Sequence, residues 1–137
     1  MYKVLLVDDD VHILNANETY LARLGYQISR AEDGERALRL ASAAAFDAIV
    51  LDVDMPDMDG VAVCSRLREV SAVPIIFLSA YARTDDRIRG LMAGGDDYIG
   101  KPYSLVELEL RLRLRIQRHL KVETGEVLRY GALEVDL

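Results

Sequence analysis

Short, wholly apolar runs recur along this chain, separated by longer segments in which apolar residues return every three or four positions. The first pattern marks buried strands and the second amphipathic helices. Lys3–Val7 reads as a buried strand. Val11–Leu24 follows as a helix with Ile13, Leu14, Tyr20, Leu21 and Leu24 on its apolar face and Gly25 as its stop. Gln27–Ala31 is a short strand. Gly34–Ala45 is an alanine- and leucine-rich helix, with Asp33 placed to cap it. Ala48–Leu51 is a third strand, Met55–Gly60 a loop rich in turn residues, and Val61–Glu69 a helix. Pro74–Leu78, Arg83–Ala93 and Asp97–Gly100 continue the alternation as strand, helix and strand, the helix ending at Gly94-Gly95.

The last helix is ambiguous by period alone. From Leu108 to Ile116 apolar and charged residues alternate strictly, as in a half-buried strand. Three features favour a helix. Ser104 and Glu107 form a capping box, Leu, Glu and Arg are strong helix formers, and the stretch is long for a strand. The reading is therefore a helix over Leu105–Arg118. Leu105, Leu108, Leu112 and Ile116 then face the core, while Val106, Leu110 and Leu114 point outward beside Glu107, Arg111 and Arg118. His119–Leu128 reads as a linker. Five strand–helix units with right-handed crossovers define an α/β, doubly wound domain with five helices in three layers.

Polar groups stand at the C-terminal ends of four of these strands. Asp8, Asp9 and Asp10 follow the first, Asp52 the third, Ser79 the fourth, and Lys101-Pro102 the fifth. In an open parallel sheet all such ends lie along one edge, where ligands bind. Carboxylates, a hydroxyl and an ammonium meeting there suit a divalent cation and a phosphoryl group.

Composition narrows the choice. The chain has 137 residues and a net charge of −6, which fits one domain and disfavours nucleic-acid binding by this segment itself. No apolar run approaches the roughly 18 residues of a membrane span, and Met1-Tyr2-Lys3 leads straight into a strand, so a soluble, cytoplasmic protein without membrane contact is expected. The single cysteine, Cys64, sits among Val61, Val63 and Leu67 as a buried thiol. Blander readings stand beside the sharp ones. Asp8–Asp10 would serve equally to cap the first helix, Asp57 and Asp59 to solvate a loop, His12 as a surface residue, and the arginines of the last helix as a solvated face.

Taken together, Asp8-Asp9, Asp52, Met55-Pro56 through Asp59-Gly60, Ser79-Ala80 and Lys101-Pro102 resemble the receiver domain of two-component response regulators over about residues 1–120. The resemblance implies a flavodoxin-like sheet of order 2-1-3-4-5. Residues 121–137 are a linker and then Arg129–Leu137, which looks like the opening strand of the winged-helix effector domain of OmpR/PhoB-type transcription regulators. Promoter DNA would be contacted only through the rest of that effector domain, which the chain lacks.

What the resemblance implies residue by residue is as follows. Asp52 accepts a phosphoryl group from a sensor histidine kinase. Asp8, Asp9 (directly or through water), Asp52 and the backbone carbonyl of Asp54 hold Mg²⁺ or Mn²⁺. Lys101 pairs with Asp52 and then with the phosphoryl group, its peptide bond to Pro102 being cis. Ser79 donates its hydroxyl, and Tyr98 changes rotamer with it. The helix over Arg83–Ala93, the fifth strand and the last helix form an output face for a homodimer. There, across a twofold interface, Arg87 would pair with Glu107, Asp97 with Arg111, and Asp96 with Arg115 or Arg118, around Ile88, Leu91 and Leu110. Ser79 and Tyr103 replace the commoner threonine and phenylalanine, Gly100 lacks a side chain, and Asp54 and Tyr81 would flank the phosphoryl group. Two other readings remain open. Asp52-Val53-Asp54 is an Asp-x-Asp, as in phosphatases of the haloacid dehalogenase type, although theirs usually follows the first strand. A standalone receiver acting by protein contact alone is the other.

Overall fold

The computed structural model describes residues 1–56, 59–80, 88, 92 and 94–124. Its elements are β1 (Lys3–Val7), α1 (Val11–Arg23), β2 (Gln27–Ala31), α2 (Gly34–Ala43), β3 (Ala48–Asp52), α3 (Gly60–Val70), β4 (Ile75–Ser79), β5 (Asp97–Gly100) and α4 (Leu105–Thr124). The helix expected over Arg83–Ala93 lies outside the described residues except for Ile88 and Met92, both helical and exposed.

All five strands are parallel, in the order β2-β1-β3-β4-β5. Because strand side chains alternate between faces, the apolar runs feed two cores. Leu5, Val7, Ile49, Leu51, Ile75 and Phe77 pack on the α2–α3 side, with Ala37, Val63, Cys64 and Leu67. Val4, Leu6, Val50, Ile76, Leu78 and Ile99 pack on the other side, with Leu14 and Leu21 of α1 and Leu108, Leu112 and Ile116 of α4. Burial on both faces is why β3 and β4 are apolar almost throughout.

The helix ends follow local chemistry. Asp10, Asp33 and Asp59 cap α1, α2 and α3, each carboxylate accepting a backbone N–H of the first turn. Asp59 thus does more than solvate a loop. In α4 the Ser104 hydroxyl accepts from the Glu107 N–H at 2.9 Å, but the Glu107 carboxylate turns outward to Arg111, so only the serine half of the expected capping box forms. Three details depart from expectation. Leu24 caps α1 and is exposed instead of joining its apolar face. The buried position on that face is Asn17, whose side-chain amide donates to the Tyr103 hydroxyl at 3.0 Å. Helix α4 runs on to Thr124, through the first part of the expected linker. Leu120 stands one turn beyond Ile116 and packs on the same core cluster, so burial extends the helix.

One glycine positions the loop that follows β3. A Cβ on Gly60 would lie 2.5 Å from Cα, Cβ and Cγ1 of Val53, inside any tolerable contact. Gly60 thus lets α3 start against the segment that leaves Asp52. Replacing it with alanine is expected to lower stability by about 1–3 kcal/mol, the usual cost of overpacking. Urea denaturation of the Gly60→Ala variant checks this; an unchanged midpoint would show that the loop relaxes freely.

Candidate functional site

The strand register places the site. Val7 pairs with Leu51, Asp52 with Leu78, and Ser79 with Gly100, so four strand ends finish side by side. The chain leaving each strand stays bound to its neighbour: the Asp8 N–H donates to Ala31 O, the Val53 N–H to Leu78 O, and the Lys101 N–H to Ser79 O. Asp8, Asp52, Ser79 and Lys101 are thereby held at one edge by the backbone. The Lys101–Pro102 peptide bond is cis.

Two of the acids are deeply buried. Asp8 is 2% exposed and Asp52 3%, while Asp9 is open to solvent. Carboxylate oxygens of Asp8, Asp9 and Asp52 all lie within 4.8 Å of one another. Asp8 Oδ1 accepts the Asp10 N–H at 2.9 Å and so shapes the turn into α1. Its other oxygen, Oδ2, is buried with no hydrogen-bond partner among the described residues. Burial, and then repulsion from Asp52, raise the Asp8 carboxyl from 3.8 to about 7, against the lowering effect of the Asp10 N–H. A buried carboxylate with an orphaned oxygen, beside two more acids, fits a hard divalent cation that takes oxygen ligands.

Across from the acids stands Lys101. Its Nζ lies 3.1 Å from Asp52 Oδ1 and 3.3 Å from Asp54 Oδ2. Burial alone would lower its pKa, but the carboxylates of Asp52 and Asp54 outweigh that and hold it above the ordinary lysine value. Asp52 Oδ1 also accepts the Asp54 N–H at 2.8 Å. Tyr98, placed among the switch residues, is buried with its ring edge-on to Phe77 at 5.9 Å.

Asp54 holds a position that strand-end logic does not specify. Its Oδ1 accepts the Ser79 hydroxyl at 2.9 Å, and its Oδ2 accepts the Ala80 N–H at 2.7 Å. With Lys101, three donors converge on one carboxylate.

The residues named for an output face are only partly brought together. Arg87 and Leu91 lie outside the described residues. Asp97 receives both Arg111, at 2.8 Å, and Arg115, at 3.4 Å, within the same chain. Within one chain Asp96 faces another partner than the Arg115 or Arg118 expected across a dimer interface. It is held by Arg68, whose guanidinium also bonds the carbonyls of Val73 and Gly94, and it accepts the Ile75 N–H at 2.8 Å. That clamp ties α3 to the entrance of β4, a pairing across 28 residues that no local pattern announces. Leu110 and Leu114 of α4 are exposed beside Glu107, Arg111, Arg115 and Arg118, lining a groove of about 390 Å³. Cys64 is buried, and burial pushes its thiol up to about 11.

A doubly wound parallel sheet whose C-terminal edge gathers three acids and a lysine defines a receiver-type signalling domain. Comparison with known proteins agrees: the model of the response regulator receiver domain matches residues 4–113, and the chain belongs to that family. It is the receiver domain of a two-component response regulator, so the haloacid dehalogenase reading falls away. The transcriptional regulatory protein PrrA of Mycobacterium tuberculosis is 44% identical over 138 residues, covering 98% of this chain and 59% of PrrA. The chain spans little more than half the length of the curated relatives it matches. Among solved structures, the receiver domain of a Francisella response regulator superposes with a TM-score of 0.82 at 38% identity, covering 87% of this chain and 99% of that one. The receiver domain of a Pseudomonas aeruginosa sensor histidine kinase, with magnesium coordinated in its active site cleft, superposes with a TM-score of 0.77 at 35% identity, covering 85% of this chain and 98% of that one. No helix among the described residues is long and apolar enough to cross a membrane.

Metal-free, the Asp8 carboxylate opposes folding. Its folded pKa lies above its unfolded value, so the folded state binds more protons between pH 3.8 and about 7. The penalty is absent below the unfolded value, grows through that window, and is complete above it. Asp8→Asn should therefore stabilise the metal-free domain at pH 8 by about 1–3 kcal/mol, with the difference shrinking toward pH 4. Denaturant titrations at the two pH values check this, and a less stable variant at pH 8 would contradict it.

Proposed function

We propose that the domain accepts a phosphoryl group on Asp52 from the phosphohistidine of a sensor kinase, and that this charge switches a homodimering face. The observation that carries the reading is the Lys101 ammonium 3.1 Å from a buried Asp52 that shares its edge with Asp8 and Asp9. A carboxylate is a competent nucleophile toward phosphorus. The Asp54 N–H and the Lys101 ammonium both donate to Oδ1 of Asp52. A carboxylate oxygen attacks phosphorus in line, the P–N bond to the imidazole breaks, and the ring leaves with that electron pair.

Charge spreads over the phosphoryl oxygens in such a transfer, so positioned cations contribute more than acid–base groups. Asp8, Asp9, Asp52 and the backbone carbonyl of Asp54 would hold Mg²⁺ or Mn²⁺. A cation held there would supply positive charge against the acids and against the charge that develops on the phosphoryl oxygens. Lys101 supplies a compact charge on the opposite side, and Ser79 a hydroxyl donor. Tyr98, packed on Phe77 in the neighbouring strand, is the switch residue that follows Ser79.

The output face comprises Arg87, Ile88, Leu91, Asp96, Asp97, Glu107, Leu110, Arg111, Arg115 and Arg118. Exposed ion pairs contribute about 0–1 kcal/mol each, so the apolar residues carry affinity and the charges set register. Asp96, held by Arg68, takes part by anchoring the entrance of β5, while Asp97 positions Arg111 and Arg115 on the face. The DNA target is reached through a winged-helix effector domain whose opening strand is Arg129–Leu137, after a linker. This fits relatives named as transcriptional regulators and roughly twice as long.

Intact mass after incubation with Mg²⁺ and acetyl phosphate tests the reading. One phosphoryl group is expected on the native chain and none on Asp52→Asn. Equal incorporation in both would place the acceptor elsewhere.

A further inference from the structure

The three donors that bind Asp54 are the groups at this edge suited to hold the oxygens of a phosphoryl group on Asp52. The Ser79 hydroxyl, the Ala80 N–H and the Lys101 ammonium stand 2.9, 2.7 and 3.3 Å from the two oxygens of one carboxylate. Asp54 follows Asp52 by two residues, and its own N–H anchors it to Asp52 Oδ1 at 2.8 Å. A carboxylate is planar and singly charged, with two acceptor oxygens. A phosphoryl group offers three acceptor oxygens and more charge, and charge-assisted hydrogen bonds strengthen with charge.

We propose that the Asp54 side chain is an internal surrogate of the phosphoryl group. It occupies the phosphoryl-binding donors of the resting domain, must be displaced for Asp52 to be phosphorylated, and closes again when the phosphate leaves. The proposal rests on Asp52 being the acceptor. It makes Asp54 a positioning residue that opposes uptake in two ways. It ties up Ser79 and Ala80, and it shares Lys101 with the nucleophile. It also holds the β4–β5 edge in a donor-satisfied arrangement without phosphate, so the resting state is built, not merely empty of ligand.

The surrogate has a spectroscopic signature as well as a kinetic one. An amide proton bonded to a carboxylate at 2.7 Å is strongly deshielded. In the resting chain the Ala80 amide should therefore resonate downfield, stay near that position on phosphorylation, and move upfield in resting Asp54→Ala. Asp54→Asn keeps an acceptor oxygen but loses the charge, and should fall between the two.

The test times phosphate incorporation from acetyl phosphate at saturating Mg²⁺ by intact mass, for the native chain, Asp54→Ala and Asp54→Asn. It is paired with the Ala80 amide position in resting and phosphorylated samples. Uptake by Asp54→Ala should be about tenfold faster, the factor that corresponds to one net charge-assisted hydrogen bond no longer competing. Equal or slower uptake in Asp54→Ala, or an Ala80 amide that does not move on substitution, would overturn the surrogate. Because Asp54→Asn separates charge from shape, Asn uptake matching Ala with an Ala80 amide still downfield would reduce the effect to simple charge repulsion and likewise overturn it. If no chain takes up phosphate, the acceptor assignment to Asp52 has failed; if all take it up at one rate, only the surrogate has.

Discussion

One ammonium against two carboxylates governs the organisation of this domain. Lys101 bridges Asp52 and Asp54 at the rim of a sheet whose interior is apolar, and Asp8 is buried beside them. Like charges confined in this way repel one another and lose solvent together. The lysine offsets part of that cost, and the orphaned oxygen of Asp8 marks the part it leaves. The edge therefore carries more carboxylate charge than Lys101 balances, which is the electrostatic setting the proposed cation would relieve.

The scaffold makes that imbalance tolerable. Two apolar layers bury the sheet on both faces, and the strand ends are pinned by hydrogen bonds such as Lys101 N–H to Ser79 O. Backbone pairing brings side chains distant in sequence to one edge, where the Lys101 ion pairs then join them. Gly60 permits the tight return that starts α3 against Val53, just past Asp52. Arg68 joins α3 to Asp96 and to the entrance of β4, so the side of the sheet that carries Lys101 is clamped away from the rim as well as at it.

Much of this was legible in the chain. Wholly apolar runs ending in acid, hydroxyl or lysine located the strands, and parallel topology then brought their ends together. The polarity of α4 was legible too, since Leu108, Leu112 and Ile116 are buried while Val106, Leu110 and Leu114 are not. What was not legible depends on specific partners. Asn17 reads as a polar interruption of a helix face until Tyr103 meets it across 86 residues. Asp96 reads as an external charge until Arg68 is placed beside it. The end of α4 was set too early, because Leu120 counts as apolar only if the core continues beneath it. Asp54 was visible as a nearby anion, but the convergence of Ser79, Ala80 and Lys101 on it requires coordinates. Local pattern specifies elements, whereas the identity of a buried polar partner is a property of the assembled fold.

On the proposed reading, a receiver whose phosphoryl-binding donors are engaged by Asp54 would have two satisfied states that differ in which anion they hold. The difference between them is small and local, a carboxylate exchanged for a phosphoryl group between Ser79 and Lys101. Such an exchange can bias a neighbouring packed element without unfolding it. The most direct measurement is a crystal structure of the chain with Mg²⁺ and beryllofluoride. Expected is beryllofluoride on Asp52, contacted by Lys101, Ser79 and the Ala80 N–H, with the cation on Asp8, Asp9 and Asp52 and the Asp54 side chain turned away. Beryllofluoride and cation bound elsewhere, or Lys101 withdrawn from Asp52 and the incoming group, would contradict the central claim.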